Sequence, residues 1–282
     1  MAAMDFFKMQ GTGNDFIIVN NIEANVALDR LPVLSRRLCQ RRISLGADAL
    51  MVFDAADQGA DFKMRFYNAD GSLGEMCGNG ARCLARYAYE RGLAGEHMKF
   101  ETGAGLVEAR RLSDRQYQVK LNSPEVIETA VCIEVNGLTV ECDYIELGRP
   151  GLPHVVVYLE ELDTVDEDAL RETARAIRFH RRFPKGANVN FYKILGPDHV
   201  LAKTFERGVE DFTLACGTGS ASVALSLTLR GRAAGDRVRL TVPGGDLSVE
   251  IEHRDGGLID LYLLGDTNIV AKGEITDEDL EL

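Results

Sequence analysis

The chain alternates short apolar segments with polar turns, and this pattern predicts more strands than helices. Six segments rich in β-branched and aromatic residues are bounded by Gly, Asn, Asp or Pro and predict strands: FIIVN, LMVFD, KMRFYN, VVVYL, VNFYKI and VRLTV. Apolar residues at helical spacing predict helices over four ranges: Leu31–Arg42, Ala81–Arg91, Asp166–Ile177 and Ser220–Leu229. Together these elements predict an α+β fold with a largely antiparallel sheet.

Several short sequence motifs of the first half of the chain recur in the same order in the second half. CGNGARC, which begins at Cys77, is answered by CGTGSAS, which begins at Cys216. On either side of this pair, GNDFIIV is answered by GLPHVVVY, LGADALMVF by KGANVNFY, and FETGAG by LTVPGG. A repeat of this length indicates duplicated domains, because solenoid and propeller repeats are much shorter.

The duplication predicts two pseudo-symmetric domains. We expect the first to span residues 1–121 and the second residues 122–264, with the tail 265–282 packing back on the first. LNSPEVIET carries the proline and polar residues of a linker at the boundary. The acidic end, EITDEDLEL, predicts a solvated surface segment or a short helix without a chemical role.

The composition narrows the class of protein. Hydrophobic residues make up 45% and charged residues 27% of the 282 residues, which is typical of soluble globular proteins. A net charge of -12 argues against a nucleic-acid or anionic-membrane partner. The chain has no signal-peptide pattern and no apolar run long enough to span a bilayer, so we expect a cytoplasmic protein.

Six cysteines in a chain of this length do not indicate a disulfide framework. Cys39, Cys83, Cys132 and Cys142 lie in apolar or mixed surroundings, and we interpret them as buried small hydrophobes. The five histidines are scattered, which gives a metal site little support.

Cys77 and Cys216 differ from the other cysteines because each precedes a Gly-x-Gly turn at the start of a helix. The first backbone N–H groups of a helix lack intrahelical partners and carry the positive end of its dipole. A thiolate and a bound carboxylate are both favoured there. Four glycines in these turns allow close approach of a ligand: Gly78, Gly80, Gly217 and Gly219.

Two equivalent half-sites suit a reaction at one small molecule. A pseudo-twofold arrangement would bring both cysteines to a shared cleft, with a thiolate on one face of a carbon and a thiol on the other. Proton removal by one and proton delivery by the other would invert a stereocentre, and an α-amino acid suits this chemistry. No cofactor is needed in principle, and the chain lacks both a dinucleotide fingerprint and a Gly-Lys-Ser/Thr phosphate loop.

Five motifs in family order closely resemble the diaminopimelate epimerases: GTGNDF, FYNADGS, CGNGARC, FERG and ACGTGSA. The resemblance runs from about Met4 to the last strand. It implies two similar α+β domains, each with a sheet wrapped around a central helix. It also implies a cofactor-independent two-base mechanism that interconverts LL- and meso-diaminopimelate on the route to lysine and peptidoglycan. Because the family often dimerises, the resemblance further predicts a homodimer.

The resemblance assigns the two acid/base thiols to Cys77 and Cys216. It places the reacting α-carboxylate on four residues: Gly78, Asn79, Gly217 and Thr218. It implies that the amino and carboxylate groups of the substrate are bound by five residues: Asn14, Asn68, Asn188, Glu206 and Arg207. Arg207 would bind the distal carboxylate, and His154 and Glu206 would tune the protonation of the thiols. Without the resemblance, Asn14 and Asn68 could be turn residues and His154 a buried core histidine.

Three positions depart from the family pattern. Leu152 replaces an asparagine common in relatives, Ala49 stands where some relatives carry glutamine, and Phe212 stands in the place of an expected glutamate. These changes make the distal end of the pocket less polar. Losing a polar contact there would cost about 1–3 kcal/mol if the ligand group stayed unpaired.

Three functions therefore stay open at this point. The first is a diaminopimelate epimerase with an altered distal pocket. The second is a racemase of another amino acid, such as histidine, which Leu152 and Phe212 favour and which Asn188 and Arg207 oppose. The third is a binding or redox protein that uses Cys77 and Cys216 as a disulfide switch.

Overall fold

The β-rich segments of the sequence form strands in the structure, a computed structural model that describes residues 4–57, 59–257 and 259–280. Contacts divide the chain into two compact units, Met1–Val119 with Gly265–Leu282, and Lys120–Leu264. The boundary predicted from the sequence lies two residues further along, after Leu121. The outermost ends of the predicted domains, residues 1–3 and 281–282, lie outside the described residues.

Among its described residues, the first part of the chain forms eight strands: β1 Met4–Gly11, β2 Asn14–Asn20, β3 Ala49–Asp54, β4 Phe62–Asn68, β5 Leu73–Gly74, β6 His97–Thr102, β7 Gly105–Arg111 and β8 Gln116–Leu121. Its helices are α1 Asn21–Ala24, α2 Leu31–Leu38 and α3 Gly78–Glu90. Strands β2 and β3, and strands β4 and β6, pair in parallel. The pairs β1–β2, β3–β4, β6–β7 and β7–β8 are antiparallel.

The second part repeats this plan. Its strands are β9 Pro124–Val135, β10 Leu138–Leu147, β11 Leu152–Tyr158, β12 Asn188–Gly196, β13 His199–Phe205, β14 Phe212–Thr213, β15 Arg237–Val242, β16 Gly245–His253 and β17 Ile259–Asp266. Its helices are α4 Glu167–Arg178, α5 Gly217–Leu229 and a 3₁₀ turn at Asp255–Gly257. The parallel pairs are β11–β12 and β13–β15, at the positions that β2–β3 and β4–β6 hold in the first part.

The last strand, β18 Asn268–Ile275, pairs antiparallel with β1, as β9 pairs with β10 in the second unit. Each unit therefore has a mainly antiparallel sheet and one helix that is buried along most of its length. In α5 every residue from Gly219 to Leu227 is buried, as expected for a helix that is apolar on all sides. The predicted α+β fold and its duplication are confirmed.

Helix α3 lies at the centre of the first core. Leu84, Ala85 and Tyr87 of α3 pack with Phe16 of β2 and Phe62 of β4, among other side chains of the surrounding strands. Burying each of the larger apolar side chains contributes about 1.5–3 kcal/mol, so this packing holds α3 against the sheet. The position of α3 is thus set by the sheet as well as by its own sequence.

The four predicted helices are present, with shifted ends. Helix α2 ends at Leu38, four residues before the predicted end, and its C-cap is Cys39. Helix α3 starts at Gly78 and α5 at Gly217, three residues before their predicted starts. The predictions began each of these helices after its Gly-x-Gly segment, whereas both glycines are helical. The four-residue helix α1 was missed because its length is too short for a periodic pattern.

The predicted linker LNSPEVIET is wrong. Strand β9 begins at Pro124, and only Asn122 and Ser123 separate it from β8. Proline is compatible with the first position of a strand because its missing N–H is not needed there. The polar composition of this segment reflects an exposed strand with alternating burial rather than a flexible connection.

Two further predictions need correction. Cys132 is exposed on β9, whereas Cys39, Cys83 and Cys142 are buried as predicted. The acidic tail is anchored: Asp277 accepts hydrogen bonds from Arg37 Nε at 2.8 Å and from Ser44 Oγ at 2.7 Å. Leu280 is buried in the apolar cluster that includes residues of α2. The tail therefore contributes to the fold of the first unit.

Candidate active site

Cys77 is the N-cap residue of α3. Its backbone is extended (φ -132°, ψ 117°), and its Sγ accepts a hydrogen bond from Gly80 N at 3.5 Å. A thiol in this position satisfies one of the helix's free N–H groups, and the helix dipole favours its ionised form. The side chain is half-buried, which keeps it accessible to a ligand.

Cys216 occupies the same position in the second unit. It is the N-cap residue of α5 with φ -118° and ψ 111°, and its Sγ accepts from Gly219 N at 3.4 Å. Thr218 Oγ1 lies 3.6 Å from the sulfur. The repeated Cys-Gly-x-Gly segment therefore builds the same helix start twice, with a thiol as the cap each time.

The second glycine of each turn has a packing role that the sequence analysis did not assign. A Cβ on Gly80 would lie 1.8 Å from Met51 Cε, and a Cβ on Gly219 would lie 2.3 Å from Asn190 Oδ1. Both positions face the protein's own side chains, but the Met51 methyl at Gly80 ends a flexible side chain, whereas Asn190 at Gly219 is held by hydrogen bonds. Glycine is therefore needed most strictly at Gly219 for the helix to seat against the sheet. The structure thus corrects the interpretation of Gly80 and Gly219 as glycines that admit a ligand.

Two of the predicted asparagines in the first unit are joined directly. Asn79, at the second position of α3, donates from Nδ2 to Asn14 Oδ1 at 2.6 Å. Asn14 in turn donates to Asp48 Oδ2 at 3.2 Å. Asn68 lies outside this chain of hydrogen bonds: it donates to Ser72 Oγ at 2.9 Å across a turn. The structure therefore connects Asn14 to the helix start of Cys77 and holds Asn68 through a separate turn.

Arg82 is a residue of this region that the sequence analysis missed. Its side chain is fully buried, and it donates to Asn79 Oδ1 at 3.0 Å and to Thr12 Oγ1 at 2.9 Å. Burial lowers the pKa of the guanidinium to about 10, while the nearby thiols of Cys83 and Cys77 oppose this shift. A signal was available, because CGNGARC places one charged residue among small residues at the start of a buried helix.

In the second unit, Glu206 lies beside Cys216. Burial raises the pKa of this carboxyl group, and hydrogen bonds with Thr213 and Cys216 act in the opposite direction. Of the two side chains that we expected to tune the thiols, Glu206 has this direct contact. It directly follows β13, at the start of the segment that leads through β14 to α5.

His154 is fully buried in β11, beside Asn188 of β12. Its Nδ1 lies 3.3 Å from Asn190 Nδ2, and among the described residues its Nε2 has no hydrogen-bond partner. Burial lowers the pKa of the ring to about 3, and the charge of Arg207 adds to this effect. The imidazole is therefore neutral near pH 7, and its tuning role stays a prediction.

Asn188 and Arg207 are held together. The backbone N–H of Arg207 donates to Asn188 Oδ1 at 2.8 Å, and Asn188 Nδ2 donates to Pro153 O at 3.4 Å. The guanidinium of Arg207 donates to the carbonyl oxygen of Lys185 at 3.1 Å. Because this contact uses one N–H group, Arg207 has further donors for an anionic group.

The three departures from the family pattern have different surroundings. Phe212 packs in the second core, with its ring edge-on to Phe205 at 5.7 Å between centroids. Ala49 is buried at the start of β3, and Leu152 is half-buried at the start of β11. Phe212 is thus explained by apolar packing, whereas nothing in the structure explains Ala49 and Leu152.

Comparison with known proteins gives consistent matches along the chain. A sequence model of the family described as "Diaminopimelate epimerase" matches residues 6–127 and 149–270. The diaminopimelate epimerase of Aquifex aeolicus is 37% identical over 288 residues, which covers 99% of this chain and 100% of that protein. That of Archaeoglobus fulgidus is 38% identical over 255 residues, covering 87% and 89%.

Two solved structures share the fold. A hydroxyproline epimerase from Agrobacterium vitis has a TM-score of 0.72 at 17% identity, covering 97% of this chain and 92% of that one. A phenazine biosynthesis protein of the PhzF family from Bacillus anthracis has a TM-score of 0.72 at 14% identity, covering 98% and 99%. At these identities the likeness concerns the fold alone.

Proposed function

The chain belongs to the diaminopimelate epimerase family, and from this we infer that it is an isomerase that interconverts LL- and meso-diaminopimelate. The relatives named diaminopimelate epimerase match over nearly the full length of both chains, so both halves of the duplication are present. The activity belongs to lysine biosynthesis. The single observation that carries the mechanism is the repeated helix start, which presents Cys77 and Cys216 in the same local geometry.

We propose a two-base mechanism for the inversion. The thiolate of one cysteine removes the proton from the α-carbon, and the electron pair of the broken C–H bond moves toward the α-carboxylate. The thiol of the other cysteine then delivers its proton to the opposite face of the same carbon. Each turnover leaves the first cysteine as a thiol and the second as a thiolate, so the reverse reaction uses the exchanged roles.

The helix starts supply the stabilisation that this step needs. Backbone N–H groups at Gly78 and Asn79, and at Gly217 and Thr218, lie within the first turns of α3 and α5. We propose that they bind the α-carboxylate, because charge gathers there as the α-proton leaves. Such preorganised donors contribute about 3–4 kcal/mol each in comparable acyl-transfer enzymes.

The remaining polar residues would hold the rest of the substrate. We propose that Asn14, Asn68, Asn188, Glu206 and Arg207 bind the amino and carboxylate groups of the substrate, and that Arg207 pairs with the distal carboxylate. The assignment of Arg207 is supported by its guanidinium, which donates one hydrogen bond to the backbone carbonyl of Lys185 and has further N–H groups for a carboxylate. The half-buried carboxyl of Glu206 supports a second role, because it is hydrogen-bonded to Cys216 and can adjust the protonation of that thiol.

The other functions that the sequence left open gain no support. The relatives that match over nearly the whole chain are named diaminopimelate epimerase, and the packing of Phe212 in the core accounts for that residue without a change of substrate. The membership of an epimerase family opposes the disulfide-switch function.

We propose that the enzyme acts in the cytoplasm on a free amino acid, without a nucleic-acid or membrane partner, and that it forms a homodimer. The net charge of -12 supports the absence of a nucleic-acid or anionic-membrane partner. Within the residues that the structure describes, no helix is long and apolar enough to cross a bilayer.

Solvent exchange tests the function. The purified, reduced protein is incubated with diaminopimelate in deuterium oxide, and mass spectrometry follows deuterium at the α-carbon. We expect exchange together with interconversion of the LL and meso forms, and loss of the interconversion in Cys77→Ala and in Cys216→Ala. Absence of exchange in the reduced wild-type protein, or exchange confined to another amino acid, would contradict the proposal. Substantial epimerisation by either cysteine variant would contradict the two-base mechanism.

A further inference from the structure

We propose that Arg82 is a positioning residue for the first half of the active site: it fixes the orientation of the Asn79 amide and, through it, that of Asn14. The inference rests on the proposed function, because the two asparagines matter as groups that hold the substrate. Arg82 itself is completely buried within the first unit, so it acts through these neighbours.

The hydrogen bonds form a chain with a fixed direction. Arg82 Nη1 donates to Asn79 Oδ1, Asn79 Nδ2 donates to Asn14 Oδ1, and Asn14 Nδ2 donates to the carboxylate of Asp48. An arginine can only donate, and an ionised carboxylate can only accept. Because these two groups stand at the ends, each amide between them has one satisfying orientation. Turning either amide over would place donor against donor or acceptor against acceptor.

Both ends of this chain are anchored. Arg82 Nη2 donates to Thr12 Oγ1 at 2.9 Å, which holds the guanidinium on the β1–β2 turn. Asp48 accepts from Arg41 Nη2 at 2.9 Å and from the backbone N–H of Asp15 at 3.1 Å. The amides are thus held between two fixed points, which is the condition for a preorganised binding group.

The chemistry of Arg82 argues against a role in packing alone. Both described acceptors of its guanidinium are neutral, and among the described residues its Nε has no hydrogen-bond partner. An apolar side chain would fill the same space without the desolvation of a charge. The equivalent position of the second repeat, five residues after Cys216, is Ala221, so the fold of the repeat does not itself need an arginine.

The location of Arg82 also fits a role at the helix start. Long side chains on a helix lean toward its N-terminus, so an arginine in the second turn of α3 reaches back to Asn79. Asn79 itself is almost completely buried and follows the capping thiol by two positions. The guanidinium consequently places a positive charge near the thiol of Cys77 as well as orienting the amide.

Three arginine variants test the inference. Arg82→Met removes the guanidinium that donates the first hydrogen bond of the series. Arg82→Lys keeps the positive charge but replaces the planar guanidinium with a single ammonium group. Arg86→Met is the matched control: Arg86 lies one turn further along α3 and donates to the backbone of Thr267, outside the chain of amides. Each variant is assayed for kcat and KM with diaminopimelate, and thermal unfolding checks that it is folded.

We expect kcat to fall about 100-fold in Arg82→Met, because an error of about 1 Å in a positioned group costs that much. KM should rise as well, Arg82→Lys should fall between Arg82→Met and wild type, and Arg86→Met should keep the wild-type kcat. Wild-type kinetics in a folded Arg82→Met protein would overturn the inference. So would an equal loss in Arg86→Met, since that would reveal a general effect of disturbing the helix. If Arg82→Met does not fold, wild-type kinetics in Arg82→Lys overturn it.

A second readout does not depend on turnover. In protein labelled with ¹⁵N-asparagine, the side-chain NH₂ signals of Asn14 and Asn79 report the hydrogen bonds of their amides. We expect the NH₂ signals of Asn14 and of Asn79 to shift in Arg82→Met and to keep their wild-type positions in Arg86→Met. Unchanged signals in Arg82→Met would overturn the inference. A wild-type protein that exchanges no substrate deuterium would instead refute the proposed function, while these signals would still decide whether Arg82 orients the amides.

Discussion

Replacing Gly219 with alanine should affect catalysis more than stability. A Cβ at this position would lie 2.3 Å from Asn190 Oδ1 and 2.9 Å from Thr204 Oγ1. Ordinary contacts of a Cβ begin near 3.4 Å, so about 1 Å must be gained by moving either the helix start or these side chains.

The neighbours of Gly219 cannot move without breaking hydrogen bonds. Asn190 donates to Val155 O at 3.0 Å and accepts from Thr204 Oγ1 at 3.0 Å. Each such bond is worth about 1 kcal/mol, so the start of α5 should shift instead, and it carries Cys216. A displacement of about 1 Å at a reacting group lowers kcat by about 100-fold.

The expected loss of stability is small by comparison. Overpacking costs about 1–3 kcal/mol, and alanine recovers about 1 kcal/mol through its higher helix propensity. The net change in the free energy of unfolding should therefore be a loss of about 0–2 kcal/mol, measured by urea denaturation. Epimerisation of diaminopimelate under saturating substrate gives kcat for the same preparation.

Two glycines serve as controls. Gly80→Ala should cost less activity, because the atom that a Cβ would meet is the terminal methyl of Met51, which can rotate away. Gly235→Ala should match wild type, because its nearest atom would be Asp198 Oδ2 at 3.6 Å. A wild-type kcat in Gly219→Ala, or an equal loss in Gly235→Ala, would refute this reasoning.

Two further predictions concern pH. His154 has a pKa lowered to about 3 by burial, so the unfolded chain binds a proton below pH 6.5 that the folded protein does not; stability should fall by about 2 kcal/mol between pH 6.5 and pH 5. NMR of the ring nitrogens should show a neutral His154 throughout this range, and a charged ring at pH 5 would contradict the prediction. Asp277 has a pKa lowered to about 2, chiefly by its hydrogen bond with Arg37, so its contribution is present above pH 4 and is lost as the pH falls toward 2. After allowance for solvent screening, Asp277→Asn should destabilise the protein by about 1 kcal/mol at pH 7. The exposed control Asp279→Asn should have little effect, and an equal loss in both variants would show that the anchor is not specific to Asp277.

Local sequence was sufficient for the features that depend on nearby residues. The Cys-Gly-x-Gly segments mark the helix starts, because a capping side chain and the first free N–H groups lie within four residues of one another. The strand segments were likewise recognisable from their apolar runs and their turns. The fold class was confirmed for this reason, although the linker at Pro124 was mistaken because an exposed strand and a polar connection have similar compositions.

Features that depend on distant segments were not predictable in the same way. The anchoring of Asp277 requires Arg37, which is 240 positions away in the chain. The contact between Asn14 and Asn79 joins β2 to the start of α3, and the role of Arg82 depends on that contact. No periodic pattern reports which amide faces which carboxylate, so the sequence marked the asparagines without showing what orients them.

The comparison of the two repeats shows why the backbone was easier to predict than the chemistry around it. Both units keep a cysteine cap and a glycine whose Cβ position is already filled. Beside this shared helix start, the first unit has the buried guanidinium of Arg82, whereas the second has the half-buried carboxyl of Glu206. Equal sequence motifs therefore give equal helix starts, but the ionisable group beside each thiol comes from a residue that the repeat does not share. A duplicated chain can in this way hold two like groups in one geometry and still present them in unlike electrostatic surroundings.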